Sequence, residues 1–288
     1  MAERHADPLE ALRTPATSIA PHPEFGARLR TRLERALLAP ITQEDTMTLS
    51  RDDLSRNGTR AGDVSYITLV VPDAARARAF YAAMLGWRFG PGEAEQVDEV
   101  IPQVGLSAGG PPGAVLSFRV EDLTGSIATV RGHGGTALDP TQERYGLIAA
   151  CHDDQGMEFT LHQLPTAGAA TPATGTQHGD ISYVTLQVAD GERAAAFFGA
   201  VLGWAFSPGR TPGGYSVEGP TPMFGMAGGR GERPGAVLCY QVDDIDAAVS
   251  RVRRAGGTAT DPVQRPYARE SSGVDDQGIA FYLHQFPG

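Results

Sequence analysis

Two histidines stand at equivalent places in two similar segments, one in each half of the chain. His162 belongs to DDQGMEFTLHQ and His284 belongs to DDQGIAFYLHQ. An imidazole can act as a general acid, a general base or a metal ligand near neutral pH. A histidine without a neighbouring ligand is also typical of a hydrogen-bonded structural residue. Both histidines are therefore secondary candidates for acid, base or ligand contact.

Glu158 is a further candidate for acid-base chemistry. It precedes Thr160 by two residues and His162 by four, and side chains two apart on a strand point to the same face. Ala280 takes its place in the second half, so a Glu-His pair of this kind is not common to both halves. No Ser-His-Asp grouping, phosphate-cradling loop or pair of reactive cysteines stands out, and the two cysteines are interpreted as buried apolar thiols.

Composition excludes several classes of partner. The formal net charge is −10 and the pI is near 5.2, whereas nucleic-acid binding relies on a basic face that releases counterions. The first residues lack the apolar run of a signal peptide, and no stretch approaches the length of a membrane span. We expect a cytoplasmic protein that binds neither nucleic acid nor membrane.

Two long segments of the chain have nearly the same sequence. DVSYITLVV begins at Asp63 and returns as DISYVTLQV at Asp180, and FYAAMLGWRF returns as FFGAVLGWAF. A repeat this long indicates two copies of one domain and not a solenoid. The predicted organisation is an N-terminal extension at 1–62, a first domain at 63–165, a linker at 166–179 and a second domain at 180–288.

The N-terminal extension contains one apolar stripe at helical spacing. Phe25, Leu29, Leu33 and Leu37 lie four apart, and arginines occupy the other faces. We expect a helix that docks on the body of the protein or on a second subunit, and a basic helix lying on an anionic membrane surface is the alternative. The protein would be a monomer with paired domains or a homodimer.

Each copy has the same order of predicted elements. A β-branched strand leads to an Ala-rich helix, Ala74 to Leu85 in one copy and Gly191 to Leu202 in the other, closed by a glycine. Short strands follow, then an acidic turn that starts a second helix, and finally a turn at DDQG before the closing strand. This order predicts an α+β fold in which helices cover the convex side of a curved sheet.

These elements resemble the vicinal oxygen chelate superfamily, also known as the glyoxalase, bleomycin resistance and dioxygenase fold. The resemblance rests on the opening strand, the helix ending FYxxxLGW, the VxD turn and the D-x-x-G turn, and it covers 63–165 and 180–286. It implies two tandem domains, each a pair of βαβββ modules that form one cup.

The resemblance also implies where a metal centre would lie. Metal-dependent members carry His in the first strand, His or Glu at the start of the strand before the VxD turn, and Glu in the closing strand. The matching positions are Tyr66, Val115 and Thr160 in the first copy and Tyr183, Val237 and Tyr282 in the second. Valine cannot donate a lone pair, and hydroxyls are poor ligands for the ions these enzymes use. We expect no metal and no cofactor.

The same mapping predicts a cup lined by aromatic rings and a few hydroxyls, which suits a flat or apolar organic ligand. Core packing is the alternative for the two tryptophans. The candidate ligand-binding residues are the six mapped positions together with Trp87, Tyr145, Trp204, Tyr267, Phe224 and Met226.

Three functions remain open on the sequence alone. The first is a metal-independent protein that binds a small organic molecule, similar to the branch of the family that sequesters antibiotics. The second is a glyoxalase-like lyase, isomerase or dioxygenase, which would use unrecognised metal ligands or metal-free Tyr and His chemistry. The third is a structural module that recruits a partner through the N-terminal helix.

Overall fold

A computed structural model describes residues 60–90, 96–143, 146–164, 177–209, 212–229 and 234–287. The predicted N-terminal helix, most of the predicted linker and Tyr145 lie outside the described residues. We refer to 63–165 as repeat 1 and to 180–288 as repeat 2.

Repeat 1 begins with a strand and a helix and then adds strands around a second helix. Its elements are β1 (Val64–Val71), α1 (Ala74–Leu85), β2 (Val104–Ala108), β3 (Gly113–Arg119), α2 (Leu123–Gly132), β4 (Thr136–Ala137), β5 (Thr141–Glu143), β6 (Gly146–His152) and β7 (Glu158–Gln163).

Repeat 2 follows the same plan with two additional short strands. Its elements are β8 (Ile181–Gln187), α3 (Gly191–Leu202), β9 (Ala205–Pro208), β10 (Gly214–Glu218), β11 (Met223–Ala227), β12 (Gly235–Gln241), α4 (Ile245–Arg254), β13 (Thr258–Ala259), β14 (Val263–Gln264), β15 (Arg269–Val274) and β16 (Ala280–Gln285).

Helix α1 begins and ends at the residues that its capping signals predict. The carboxylate of Asp73 accepts a hydrogen bond from the backbone N–H of Arg76, which satisfies one of the free donors of the first turn. Gly86 closes the helix at φ 70°, a left-handed conformation that favours glycine. The same arrangement recurs at Asp190 and Gly203 of α3. The predicted bounds of α1 and α3 are thereby confirmed.

The strands of both repeats join one mixed sheet. In repeat 1, β1 pairs in parallel with β2 and antiparallel with β3, and β3 pairs in parallel with β7. In repeat 2, β8, β11, β12 and β16 pair in the same way. A single residue pair, Ala114 with Ala236, links the two halves into the sheet of 16 strands found in the described part of the chain. The predicted α+β class is confirmed.

Aromatic side chains of the core are shared between the repeats. On one side Phe80 of α1 meets Phe281 of β16, with ring centroids 6.4 Å apart. On the other side Phe197 of α3 meets Phe159 of β7 at 6.1 Å. Each aromatic cluster thus combines the first module of one repeat with the second module of the other. Aromatic rings in contact contribute to stability beyond the area they bury, so neither repeat has a complete core alone.

Two buried aspartates fasten the repeats to each other. Asp63 accepts a hydrogen bond from the backbone N–H of Thr221 at 2.8 Å, and Asp180 accepts one from Ile101 at 2.9 Å. Each carboxylate replaces water lost on burial with backbone donors of the opposite repeat. None of the helices in the described part of the chain is long and apolar enough to cross a membrane.

Candidate functional site

The register of the strands shows which side chains share the concave face of the sheet in each repeat, because side chains at paired positions lie on the same side. On the central strands, the residues that alternate toward this face in repeat 1, called cup 1, are Tyr66, Thr68, Val115, Ser117, Arg119, Thr160 and His162. The corresponding residues in repeat 2, called cup 2, are Tyr183, Thr185, Val237, Cys239, Gln241, Tyr282 and His284.

A tyrosine lies along the floor of each cup, and a glycine makes room for it. The hydroxyl of Tyr66 occupies the place where a Cβ on Gly105 would stand, and the hydroxyl of Tyr183 does the same over Gly225. Burial, followed by the influence of Cys239, Tyr282 and Glu270, raises the pKa of the Tyr183 phenol. The phenol is therefore protonated at neutral pH and remains a hydrogen-bond donor.

The mapped metal positions do meet on the concave faces, but their side chains do not fit a metal ion. Cup 1 presents a phenol, a valine and a threonine there, and cup 2 presents two phenols and a valine. Over the described ranges there is no group of three or more His, Cys, Asp or Glu side chains placed to share a metal ion. Transition metals prefer imidazole, thiolate and carboxylate ligands, so the donor set of these cups does not match.

The prediction that Phe224 and Met226 line cup 2 is wrong. They pair with Val184 and Leu186 on β8, whose side chains point into the core, and both are buried there. The alternation of β11 instead turns Met223 and Gly225 toward the cup. A shift of one residue along a strand moves every side chain to the other face, and the sequence of β11 is apolar in both phases.

The two predicted tryptophans also lie behind the sheet. Trp87 stacks on Tyr81 with centroids 5.1 Å apart, and its indole N–H donates to the backbone oxygen of Gly179 at 2.9 Å. Trp204 makes the matching bond to Gly62, which directly precedes repeat 1. These contacts place both rings in the shared core, which is the alternative that the sequence left open, and they remove both rings from the set that lines the cups.

His284 and Tyr267, both singled out by the sequence analysis, belong to a polar group whose other members, Glu270 and Arg265, it missed. Nε2 of His284 lies 3.5 Å from Oε2 of Glu270 on the neighbouring strand β15, and the same oxygen accepts a hydrogen bond from the Tyr267 hydroxyl at 2.9 Å. Arg265 completes the group, with its guanidinium nitrogen 3.6 Å from Oε1 of Glu270. These four residues, His284, Glu270, Tyr267 and Arg265, form what we call the Glu270 cluster.

The charges in the Glu270 cluster follow from its surroundings. Burial by itself raises the pKa of the Glu270 carboxyl, but hydrogen bonds from His284 and Tyr267, with the positive charge of Arg265 and of His284 when it is protonated, outweigh burial and hold the pKa below its ordinary value. Burial and the nearby carboxylate raise the pKa of the Tyr267 phenol. Glu270 is therefore an anion that only accepts hydrogen bonds, and Tyr267 donates to it.

Cup 1 has no counterpart of this cluster in the described part of repeat 1. Ile148 pairs with His162 where Glu270 pairs with His284. Nδ1 of His162 lies 3.0 Å from Oγ of Ser65. Glu158 is exposed at the first position of β7, opposite His152. Glu158 therefore lies at the exposed end of the strand that carries His162 in its interior.

The comparisons with known proteins agree with this architecture. The profile of the family described as "Glyoxalase-like domain" matches residues 66–162 and 183–283. A Mn(II)-bound glyoxalase from Novosphingobium aromaticivorans is similar in structure, with a TM-score of 0.60 and 16% identity over 79% of this chain and 83% of that chain. No curated protein sequence matches significantly.

Ring-cleaving enzymes also share the fold. The 2,3-dioxygenase LapB from Pseudomonas sp. KL28 has a TM-score of 0.59 and 14% identity over 80% of this chain and 95% of that chain. BphC, a halotolerant catechol dioxygenase, has a TM-score of 0.59 and 16% identity over 78% and 87%. At such low identity these likenesses establish the fold alone. With both repeats matched by the family profile, the chain belongs to the glyoxalase-like domain family of the vicinal oxygen chelate superfamily, as a tandem member with two copies of the domain.

Proposed function

We propose that this protein binds a small organic molecule in a cup without the help of a metal ion, and that it sequesters an aromatic or apolar natural product. The observation that carries the proposal is the replacement of metal ligands by phenol, valine and threonine on the concave faces. A surface of rings and hydroxyls binds a flat ligand by desolvation and stacking, while the hydroxyls fix its orientation.

The structural relatives support the aromatic character of the ligand. One of them is named as a catechol dioxygenase, so proteins of this fold include one that acts on a small aromatic ring. The net charge of −10 adds a weak attraction for cationic ligands at long range. Cup 2 carries Tyr282 where cup 1 carries Thr160, which makes the second concave face the more aromatic one.

Equilibrium dialysis against a panel of aromatic natural products, with and without EDTA, tests the proposal. We expect saturable binding that EDTA leaves unchanged. Fluorescence quenching is unsuitable because both tryptophans lie behind the sheet, away from the cups. Ligand binding or turnover that appears only after Fe²⁺ or Mn²⁺ is added would overturn the proposal.

A pair of exchanged residues provides the matched variants. Tyr282→Thr gives cup 2 the residue of cup 1, and Thr160→Tyr makes the reverse change. Removing a ring from the binding surface should weaken dialysis binding by roughly tenfold. Equal affinity of Tyr282→Thr and the parent protein would show that this ring takes no part.

A metal-free enzyme that transfers protons is the second candidate, and the contact between His284 and Glu270 favours it. A carboxylate that orients an imidazole is an arrangement that can move a proton to or from a bound ligand. Mass spectrometry of the ligand after incubation in deuterated water separates the two functions. Exchange of ligand protons that is lost in His284→Gln would indicate catalysis, and a ligand recovered unchanged supports sequestration.

A further inference from the structure

Three buried polar atoms in and beside cup 2 lack a hydrogen-bond partner among the described residues. They are Nδ1 of His284, Oε1 of Gln241 and Nε of Arg265. His284 and Gln241 are register partners on adjacent strands, and each is more than nine-tenths buried. Buried polar atoms in folded proteins nearly always have partners, so unpaired atoms gathered at one concave surface point to a missing one.

The hydrogen-bonding role of His284 follows from its neighbour. Glu270 is an anion and can only accept, so the Nε2 that faces it must carry the hydrogen. In the neutral ring the other nitrogen, Nδ1, then carries a lone pair and accepts a hydrogen bond. Gln241 can offer either its oxygen or its NH2 group, because the two ends of an amide exchange by a flip. The surface thus presents one fixed acceptor beside one adaptable group.

Repeat 1 does not reproduce this surface. Arg119 stands at the position of Gln241, and Glu143 stands at the position of Arg265, each 122 residues earlier. Nδ1 of His162 already lies within hydrogen-bond distance of Ser65. Ser65 also donates to the backbone oxygen of Ser117, as the corresponding Ser182 does to that of Cys239, but Nδ1 of His284 has no hydrogen-bond partner among the described residues. Within the described part of the chain, the buried ring nitrogen without a partner is therefore a feature of His284.

We propose, resting on the function proposed above, that cup 2 is the binding cup and that its ligand is an aromatic molecule bearing a hydroxyl or amino hydrogen, which it donates to Nδ1 of His284. Gln241 binds the polar group next to that donor on the ligand. Glu270 acts as a positioning residue, since it fixes the tautomer of His284 from the neighbouring strand β15. The expected stoichiometry is one ligand per chain, although the fold contains two cups.

The first test needs no ligand. Nitrogen NMR of the imidazole rings distinguishes the two neutral tautomers and the imidazolium. In its neutral form, His284 should show a protonated Nε2 and a bare Nδ1. In Glu270→Gln the preference for this tautomer should fall. A proton on Nδ1 in the parent protein would overturn the inference, whether or not the protein binds organic molecules.

The second test compares naphthol with its methyl ether, which has the same ring but no donor hydrogen. We expect one naphthol to bind per chain and to shift the His284 Nδ1 signal, and the ether to bind roughly tenfold more weakly. His284→Phe should lose the preference for naphthol, and the matched change His162→Phe should keep it. Circular dichroism would confirm that both variants are folded, and Glu270→Gln gives a second, milder probe.

The remaining outcomes of the naphthol test distinguish failure of the inference about His284 from failure of the proposed binding function. If naphthol and the ether bind equally well, or if His162→Phe abolishes binding, the inference fails while the binding function stands. If neither compound binds at any accessible concentration, both the donor requirement and the binding function for this class of ligand are refuted.

Discussion

The most exacting prediction concerns a hydrogen bond that is present on one side of the shared core and missing on the other. The hydroxyl of Tyr81 donates to Oδ2 of the buried Asp275 at 3.1 Å. The equivalent aspartate of repeat 1 is Asp153, whose buried Oδ2 has no hydrogen-bond partner among the described residues, and the residue equivalent to Tyr81 is Phe198. One aromatic cluster therefore satisfies its carboxylate and the other leaves it short by one hydroxyl.

Phe198→Tyr should supply the missing donor. The ring of Phe198 stacks on Trp204 with centroids 5.5 Å apart, much as Tyr81 stacks on Trp87 at 5.1 Å, so a new hydroxyl would point toward Asp153. A net gain of about 0.5–1.5 kcal/mol in the free energy of unfolding is expected for a neutral donor, and more if the aspartate is charged. The reverse change, Tyr81→Phe, leaves a buried acceptor unpaired and should cost about 1–3 kcal/mol.

Urea unfolding of the parent protein and the two variants, followed by circular dichroism, measures both changes. The slope of the unfolding free energy against urea concentration should stay constant, since neither variant alters the surface exposed on unfolding. Unchanged or reduced stability of Phe198→Tyr, together with a loss below about 0.5 kcal/mol for Tyr81→Phe, would refute the reasoning.

Three further predictions follow from the same structure. Gly225→Ala places a Cβ where the Tyr183 hydroxyl lies, so the ring must tilt; we expect roughly tenfold weaker ligand binding by isothermal titration calorimetry and a loss of about 1–3 kcal/mol in stability. Trp204→Phe removes the bond to Gly62 and part of the core packing, and urea unfolding should show a loss of about 2–4 kcal/mol. Burial raises the pKa of Asp275 in the folded protein, so its contribution to the free energy of unfolding should fall as pH rises from about 4 through that raised pKa. Asp275→Asn should remove this dependence on pH. A difference in stability between the variant and the parent that does not change with pH would contradict the raised pKa.

The sequence was sufficient for the elements and the architecture because local signals and the repeat agree. Asp73 and Gly86 mark the ends of α1, and Asp190 and Gly203 mark those of α3. Period-two alternation on β1 and β8 placed the tyrosines on the concave faces. Each of these inferences depends on neighbours in the chain, and a second copy of the same pattern supports each one.

The cup itself was less predictable, for two physical reasons. On β11 both phases of the alternation are apolar, so hydrophobicity cannot tell which of Phe224 and Gly225 faces the core; the tyrosine opposite decides it. Glu270 was missed because its partner His284 comes from another strand and its equivalent in repeat 1 is Ile148. One sequence signal could have found it: in β15 the charged Glu270 alternates with small residues, whereas the equivalent strand of repeat 1, β6, is mainly apolar.

The sharing of the core across the repeats was also beyond the sequence. Phe80 would suit the core of its own repeat as well as that of the other, since the two copies have nearly the same surfaces. Only the register of the strands and the contacts such as Phe80 with Phe281 settle which halves meet. Pattern analysis finds the modules, but it cannot tell partners that are nearly identical apart.

The hydrogen bonds of the aspartates and tryptophans hold the two halves together without fixing which residues line the two cups. These hydrogen bonds lie on the convex side of the sheet or at the strand ends, and none of them involves a residue that lines a cup. Cup 1 can therefore carry Ile148 and Arg119 where cup 2 carries Glu270 and Gln241, while the bonds between the repeats stay in place. Duplication within a single chain thus leaves the two copies free to differ in their polar residues while the bonds between them stay the same.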